Sequence, residues 1–264
     1  AENSNFEQAE SLFRQTLDSY DDNTNGNFYY ENVRDLVQIG QVFYNAFIST
    51  DEKKYLDLAY NAYRKSALVF SKIYRGDMFN AILYTYSNKI KNGLLKCAIL
   101  LPEKEIEALE LIEDNDSDYL WSKFLNNQSN TNFEEPKKLS DSLNVIASNT
   151  TLLRAQLSTL KDKNSISELE AKVDSLEKIN DDIENILKQK YPSFNAFSKS
   201  DFALELLQNT INPDEVILKY IILDSVGYAY KIEADAVKLF KLDVELDNLK
   251  SQLLTFIEDA STPS

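Results

Sequence analysis

Between Asn212 and Leu242 the chain reads NPDEVILKYIILDSVGYAYKIEADAVKLFKL, and here it abandons the helical periodicity that governs everything before it. Three runs rich in β-branched and aromatic residues, Val216 to Leu223, Tyr228 to Glu233 and Val237 to Leu242, are separated by turn-forming residues. These are Asp224-Ser225 with Gly227, and Ala234-Asp235. Short apolar runs joined by tight turns fold as an antiparallel meander. A three-stranded meander with one closing helix is small for an independent sheet domain, so these residues are expected to be the front part of a larger α/β unit.

From Phe6 to about Tyr191 the apolar residues recur at amphipathic-helix spacing, and only five Gly and five Pro occur in 264 residues to interrupt it. The spacing predicts helices over 6–20, 28–49, 51–75, 77–100 and 103–126, with Asp51, Asp77 and Pro102 marking three of the starts. The stretch Asn127 to Glu135 then reads as a loop. Within this array Leu36-x2-Ile39-Gly40-x2-Phe43 and Tyr55-x3-Ala59-x2-Ala62 resemble a tetratricopeptide (TPR) helix pair, in which small residues let two helices cross closely.

The strongest periodic signal follows. Leu139, Leu143, Ile146, Thr150, Leu153, Leu157 and Leu160 step by four and three, which is the seam of a coiled coil. A second seam runs through Ile166, Leu169, Val173, Leu176, Ile179 or Asn180, Ile183 and Ile186, opened by the capping-box pattern Ser165-x-x-Glu168. The short connector Lys161 to Asn164 makes the two helices antiparallel neighbours, and Pro136 and Pro192 bound a hairpin over 136–190. The fold class expected is therefore mainly α. A TPR-like antiparallel helical array (1–126) is followed by a long heptad-patterned hairpin (136–190), then by a small three-stranded β-meander with a C-terminal helix (191–264), the start of an α/β unit.

Composition removes several functions. Twenty-eight Lys and Arg against 43 Asp and Glu give a net charge of −15, so a phosphate backbone is repelled over most of the surface and nucleic-acid binding is not expected. No apolar run approaches the roughly 20 residues of a membrane span. The N-terminus AENSNFEQAE lacks a secretory pattern, and the expected compartment is the cytoplasm. Cys97, the single cysteine, sits in the apolar run LLKCAILL and reads as a core thiol. Histidine is absent, so no Ser-His-Asp triad, Cys-His dyad or His-ligated metal can form within this chain. Asp21-x-Asn23-x-Asn25-Gly26 imitates the opening of an EF-hand loop. Its twelfth position is Asn32 rather than the bidentate Glu, so a helix–helix turn is expected there instead of a calcium site. The acidic groups Glu103, Glu105, Glu107 and Glu110, and Asp114, Asp116 and Asp118, have the spacing of a solvated helix face rather than of a carboxylate catalytic pair. The expectation is no enzymatic activity in this chain, and no catalytic, cofactor-binding or metal-binding residue.

Tyr191-Pro192-x-Phe194, Leu204-x-x-Leu207-Gln208 and Ile211-x-Pro213-Asp214-Glu215-x-Ile217-Leu218-x-Tyr220 together resemble the entry into a CHAT domain. That family is caspase-like, and its members commonly carry TPR helices ahead of the peptidase. Ile112 to Phe124, followed by Phe133-x-x-Pro136-x-x-Leu139, resembles the family's junction between repeats and hairpin. The resemblance covers roughly 110–259 and, more loosely, 1–110. It implies the regulatory, protein-binding portion of a TPR–CHAT-type protein without the catalytic half, since the family's Cys and His lie downstream of the first strands. The partner implied is a protein or peptide held on the helical face. Candidate aromatics there are Phe28, Tyr29, Tyr30, Phe43, Tyr44 and Phe47, then Tyr55, Tyr60, Tyr63, Tyr84 and Tyr86. The alternative is a freestanding scaffold that self-associates or docks through its hairpin, with Thr150 and Asn180 as polar register-setting positions.

Overall fold

The ring of Tyr63 fills the space that a side chain would need at both Gly40 and Gly93. A Cβ built on Gly93 would lie 2.3 Å from the ring and one on Gly40 2.9 Å from it. Three helices can therefore approach one another only because two of them carry glycine at the crossing. The computed structural model that contains this packing describes residues 2–19, 30–73, 81–128, 134–157, 160, 162–190, 204–223 and 226–243. Among them it is mainly helical with one small antiparallel sheet, as the periodicity predicts.

The array consists of α1 (Glu2–Ser19), α2 (Tyr30–Thr50), α3 (Lys53–Ile73), α4 (Ala81–Ala98) and α5 (Glu105–Gln128), the last entered through a 3-10 turn at Pro102–Lys104. Pro102 stands at the first position of that turn, where a missing N–H costs nothing. Helix α3 is the centre. Its Tyr55, Ala59, Ala62 and Ser66 are buried on one side and Tyr60, Tyr63, Ala67 and Phe70 on the other. The small residues singled out in the TPR-like pattern, Gly40, Ala59 and Ala62, are all buried where α2 and α3 pack. Phe43 of α2 stacks on Tyr55 of α3 at 6.4 Å between ring centroids, and Phe13 of α1 meets Phe43 edge-on at 6.0 Å. The Tyr55 hydroxyl donates to Glu10 Oε2 (3.0 Å), which ties α1 to this centre.

Asp51 does not start a helix. It holds φ at +56°, in the left-handed region, and its N–H closes on the carbonyl of Phe47 at 2.7 Å, so it caps the end of α2. Asp tolerates that conformation better than most side chains, but it is also a favoured N-cap, which is why the position passes for a helix start in the sequence. Asp77 and the EF-hand-like stretch lie outside the described residues, except that Glu31 and Asn32 fall in the first turn of α2.

Helices α6 (Glu134–Leu157) and α7 (Lys163–Lys190) form the predicted antiparallel hairpin. The fully buried line is Leu143, Thr150 and Leu157 on α6 and Val173, Asn180 and Leu187 on α7, each seven residues apart. An Arg154–Glu177 ion pair fixes the register and sets Thr150 level with Asn180, between the level pairs Leu143–Leu187 and Leu157–Val173. Asn180 thus takes the seam position and Ile179 is exposed. Likewise Leu187, not Ile186, closes the seam. The α7 cap differs too: Asp162 Oδ2 accepts the Ser165 N–H (2.9 Å) and hydroxyl (2.7 Å), which makes Asp162 the N-cap rather than Ser165. A carboxylate outcompetes a hydroxyl for that N–H because the bond is charge-assisted.

A short helix α8 (Leu204–Gln208) leads to strands β1 (Ile217–Ile222), β2 (Gly227–Ile232) and β3 (Val237–Leu242), paired antiparallel in the order β1-β2-β3. Tyr220 lies opposite Ala229 and Ala229 opposite Phe240. The predicted C-terminal helix lies outside the described residues.

Replacing Gly93 by Ala is expected to destabilise the protein by about 1–3 kcal/mol, because overpacking against Tyr63 outweighs the ~1 kcal/mol that Ala gains over Gly in a helix. Urea unfolding checks this: Gly93→Ala lowers the midpoint, Gly40→Ala lowers it less, and adding Tyr63→Leu to Gly93→Ala recovers part of the loss.

Candidate functional site

Strand β2 is buried along nearly its whole length, whereas β1 buries only Ile221 and β3 only Leu239, both on the inner face. The inner face packs on α4 and α5, and its polar contacts are specific. Tyr230 donates its hydroxyl to the carbonyl oxygen of Glu105 (3.1 Å), and Tyr228 donates to Asn92 Oδ1 (2.9 Å). Leu239 turns its N–H off the edge of β3 and gives it to Glu105 Oε2 at 3.2 Å, while Lys238 Nζ reaches Glu105 Oε1 at 3.2 Å. Lys219 pairs with Glu113 and stands 4.0 Å from Asp116, which also pairs with Lys91. Leu204, Ile211, Ile221, Tyr228, Tyr230 and Leu239 join residues of α2 to α5 in one apolar core.

Of the acidic residues read as a solvated face, Glu103 is exposed as expected, whereas Glu105 and Glu107 take structural partners. Glu105 is buried against β3, Glu103 pairs with Lys53 at 3.2 Å, and Glu107 takes Arg64 at 2.6 Å and Lys104 at 3.0 Å. Burial pushes the Glu107 carboxyl up, but the hydrogen bonds from Lys104 and Arg64 outweigh it and hold the group below its ordinary range. Periodicity locates these residues on α5 but cannot reveal that a sheet closes over them.

The candidate aromatics separate in the same way. Phe43, Tyr55, Tyr60 and Tyr63 are core residues, Tyr44, Phe47 and Tyr86 are half-buried, and Tyr84 is exposed. Lys96 of α4 lies 3.9 Å from the Tyr44 ring centroid and donates to Gln41 Oε1 (3.1 Å), which closes over the Tyr63 hydroxyl. Phe28 and Tyr29, and the side chain of Tyr30, lie outside the described residues. Cys97 is a core thiol as expected, and burial raises its pKa to about 12. At neutral pH that leaves almost no thiolate to act as a nucleophile.

The surface that the aromatics do not supply is found on the outer face of the sheet. The cross-strand rows there are Leu218–Lys231–Lys238, Tyr220–Ala229–Phe240 and Ile222–Gly227–Leu242. Each of the last two places the smallest residue in the middle. Gly227 and Ala229 are buried at the centre of this face, between Tyr220 and Ile222 on β1 and Phe240 and Leu242 on β3. Leu218 is 52% exposed, Tyr220 60% and Phe240 46%, an unusual amount of apolar surface for six-residue strands. Gly227 is needed there, since a Cβ would stand 3.1 Å from Leu242 Cδ1 and 3.2 Å from Ile222 Cδ1, the two side chains that lean together over it.

Among the described residues no group of three or more His, Cys, Asp or Glu side chains is arranged to hold a metal ion, and no helix is long and apolar enough to cross a membrane. No family model matches the chain, and neither a curated protein nor a solved structure matches it.

Glu105→Ala is expected to cost about 1–3 kcal/mol by leaving the buried Leu239 N–H without an acceptor. Chemical unfolding measures the loss, and amide exchange at Leu239 should accelerate with it. Glu105→Gln, which keeps one acceptor oxygen, should fall between Glu105→Ala and the unchanged protein.

Proposed function

We propose that this chain is a non-catalytic, protein-binding portion of a TPR–CHAT-type caspase-like protein, and that it holds its protein partner on the exposed apolar outer face of the sheet. The observation that carries the reading is the uncovered apolar face of β1 and β3. Strand β1 reads ILKYII, apolar toward both faces, which is the pattern of a strand covered on both sides. Its inner face already lies on α4 and α5, so the second cover comes from another segment or another chain. The order of helical array, long hairpin, short helix and meander is that of the region leading into a CHAT domain, which supports the same assignment. In this reading the array and hairpin are the regulatory part and the sheet is the junction with the peptidase half. The outer face of the sheet, rather than the TPR-like helices, makes the main contact, because Phe43, Tyr55, Tyr60 and Tyr63 on those helices are spent in the core.

The intact mass of the endogenous protein, isolated with an antibody against this chain, is expected to lie well above 30.3 kDa and to include peptides containing His and Cys. Hydroxyl-radical footprinting of that intact protein should show Tyr220 and Phe240 protected relative to the isolated 264-residue chain. A mass of 30.3 kDa with no stoichiometric second chain, or equal oxidation of both aromatics in the two samples, contradicts the proposal.

A further inference from the structure

Hydrogen bonding within the sheet fixes which backbone groups point out of it. Leu223 donates its N–H to the carbonyl of Val226 at 2.9 Å. Counting back from that closing pair, the pairs bonded between β1 and β2 are Ile221–Tyr228, Lys219–Tyr230 and Ile217–Ile232. Leu218, Tyr220 and Ile222 therefore turn their N–H and C=O groups away from β2, to the free side of β1. The same counting from the Glu233–Ala236 bond sends the Leu239 N–H to the free side of β3, where Glu105 accepts it. The two edges differ. A buried carboxylate closes β3, whereas among the described residues the backbone groups of Leu218, Tyr220 and Ile222 meet no hydrogen-bonding partner.

Strand β1 also lacks the features that keep an edge from pairing. It has no proline or bulge, and its one charged residue, Lys219, points inward and is neutralised by Glu113. Its outer side chains Leu218 (52%), Tyr220 (60%) and Ile222 (43%) are exposed and would continue the apolar rows of the outer face onto a fourth strand. Helix α5 supplies support on the other face. It runs from Glu105 at β3 to Glu113 and Asp116 at Lys219 of β1, then continues to Gln128, about 18 Å beyond Asp116, in the direction in which the sheet would grow.

Charge identifies the occupant. Asp214 and Glu215 are exposed immediately before β1. From Glu110 to Asp116, α5 sets the carboxylates of Glu110, Glu113, Asp114 and Asp116 against the ammonium groups of Lys219 and Lys91 alone. Burial and the nearby Asp114 and Glu107 push the Glu110 carboxyl above its ordinary range. A second copy of the chain would bring the same acidic set to the same edge and be repelled, whereas an extended segment bearing Lys or Arg is attracted.

We infer that the free edge of β1 is a strand-addition site for an extended, basic segment of a partner protein, apolar at every second residue, which pairs with the backbone of Leu218, Tyr220 and Ile222. This rests on the reading of the sheet as the protein-binding element and adds how the partner is held.

Selection of phage-displayed random peptides, about twelve residues long, on the whole 264-residue chain tests it. The enriched peptides are expected to alternate apolar with polar residues and to carry Lys or Arg, and their affinity should fall as salt rises. N-methylation of an enriched peptide at one set of alternate residues should weaken binding at least about tenfold, and at the other set much less, because only one set turns its N–H groups to β1. On the protein side, Tyr220→Pro removes an outward N–H without breaking the β1–β2 ladder. It should weaken binding at least about tenfold more than Tyr220→Val, which keeps that N–H. The peptide series uses the unchanged chain, so it decides the matter if the proline variant loses its fold. Enriched peptides of helical spacing, equal loss at both N-methylated sets, or no enriched peptide overturns the inference. So does self-association of the chain that Tyr220→Pro abolishes, since the occupant is then a second copy. Each of these leaves the reading of the outer face standing if Tyr220 and Phe240 are still protected in the intact protein.

Discussion

Glu105 is the point at which the helical and the β parts of this protein become one structure. It opens α5, where the helix dipole favours a carboxylate, and it is almost wholly removed from water. Its carboxylate accepts the edge N–H of Leu239 and the ammonium of Lys238, while its carbonyl accepts the Tyr230 hydroxyl. A buried carboxylate is tolerated only when it is partnered in this way. The contact also blocks the β3 edge, which would otherwise offer unpaired backbone groups to another strand.

That docking depends in turn on how α4 and α5 are presented. Tyr63 lies between Gly40 and Gly93, so α2, α3 and α4 close up around one aromatic ring. The core then continues without a break from Leu36 and Phe43 through Leu94 and Ile112 to Tyr228 and Tyr230. Because the inner face of the sheet is committed to this core, the exposed apolar side chains Leu218, Tyr220, Ile222 and Phe240 stand on its outer face, around the small buried residues Gly227 and Ala229. The hairpin stands outside this core, with its own seam.

Local signals were legible in the sequence, and long-range ones were not. The strands lie within about a residue of the runs that alternation and turn residues mark, since register in a meander is set by nearby turns. The α6 seam is also as the heptad spacing predicts. On α7, however, the choice between Ile179 and Asn180 was open and Ile186 was placed in the seam, and packing against α6 decided for Asn180 and Leu187. Asp51 and Ser165 belong to residue types that serve several turn roles, so only backbone geometry distinguishes a cap at a helix end from one at its start. The acidic face of α5 was misjudged because burial of Glu105 is imposed by residues more than a hundred positions away. The apolar outer face of the sheet is another long-range product: Tyr220, Ala229 and Phe240 form a row only once three strands are in register.

The measurement that addresses this architecture most directly is native-state hydrogen exchange of the whole chain as a function of denaturant. If the sheet and the array share one core, the amides of β2, and Leu239 bonded to Glu105, exchange only through the same global unfolding that exposes α3. Their opening free energies then merge with those of Ala59 and Tyr63. A separate opening of β2 and β3 at lower free energy, with α3 still protected, would contradict a common core and leave the outer face of the sheet without a fixed platform.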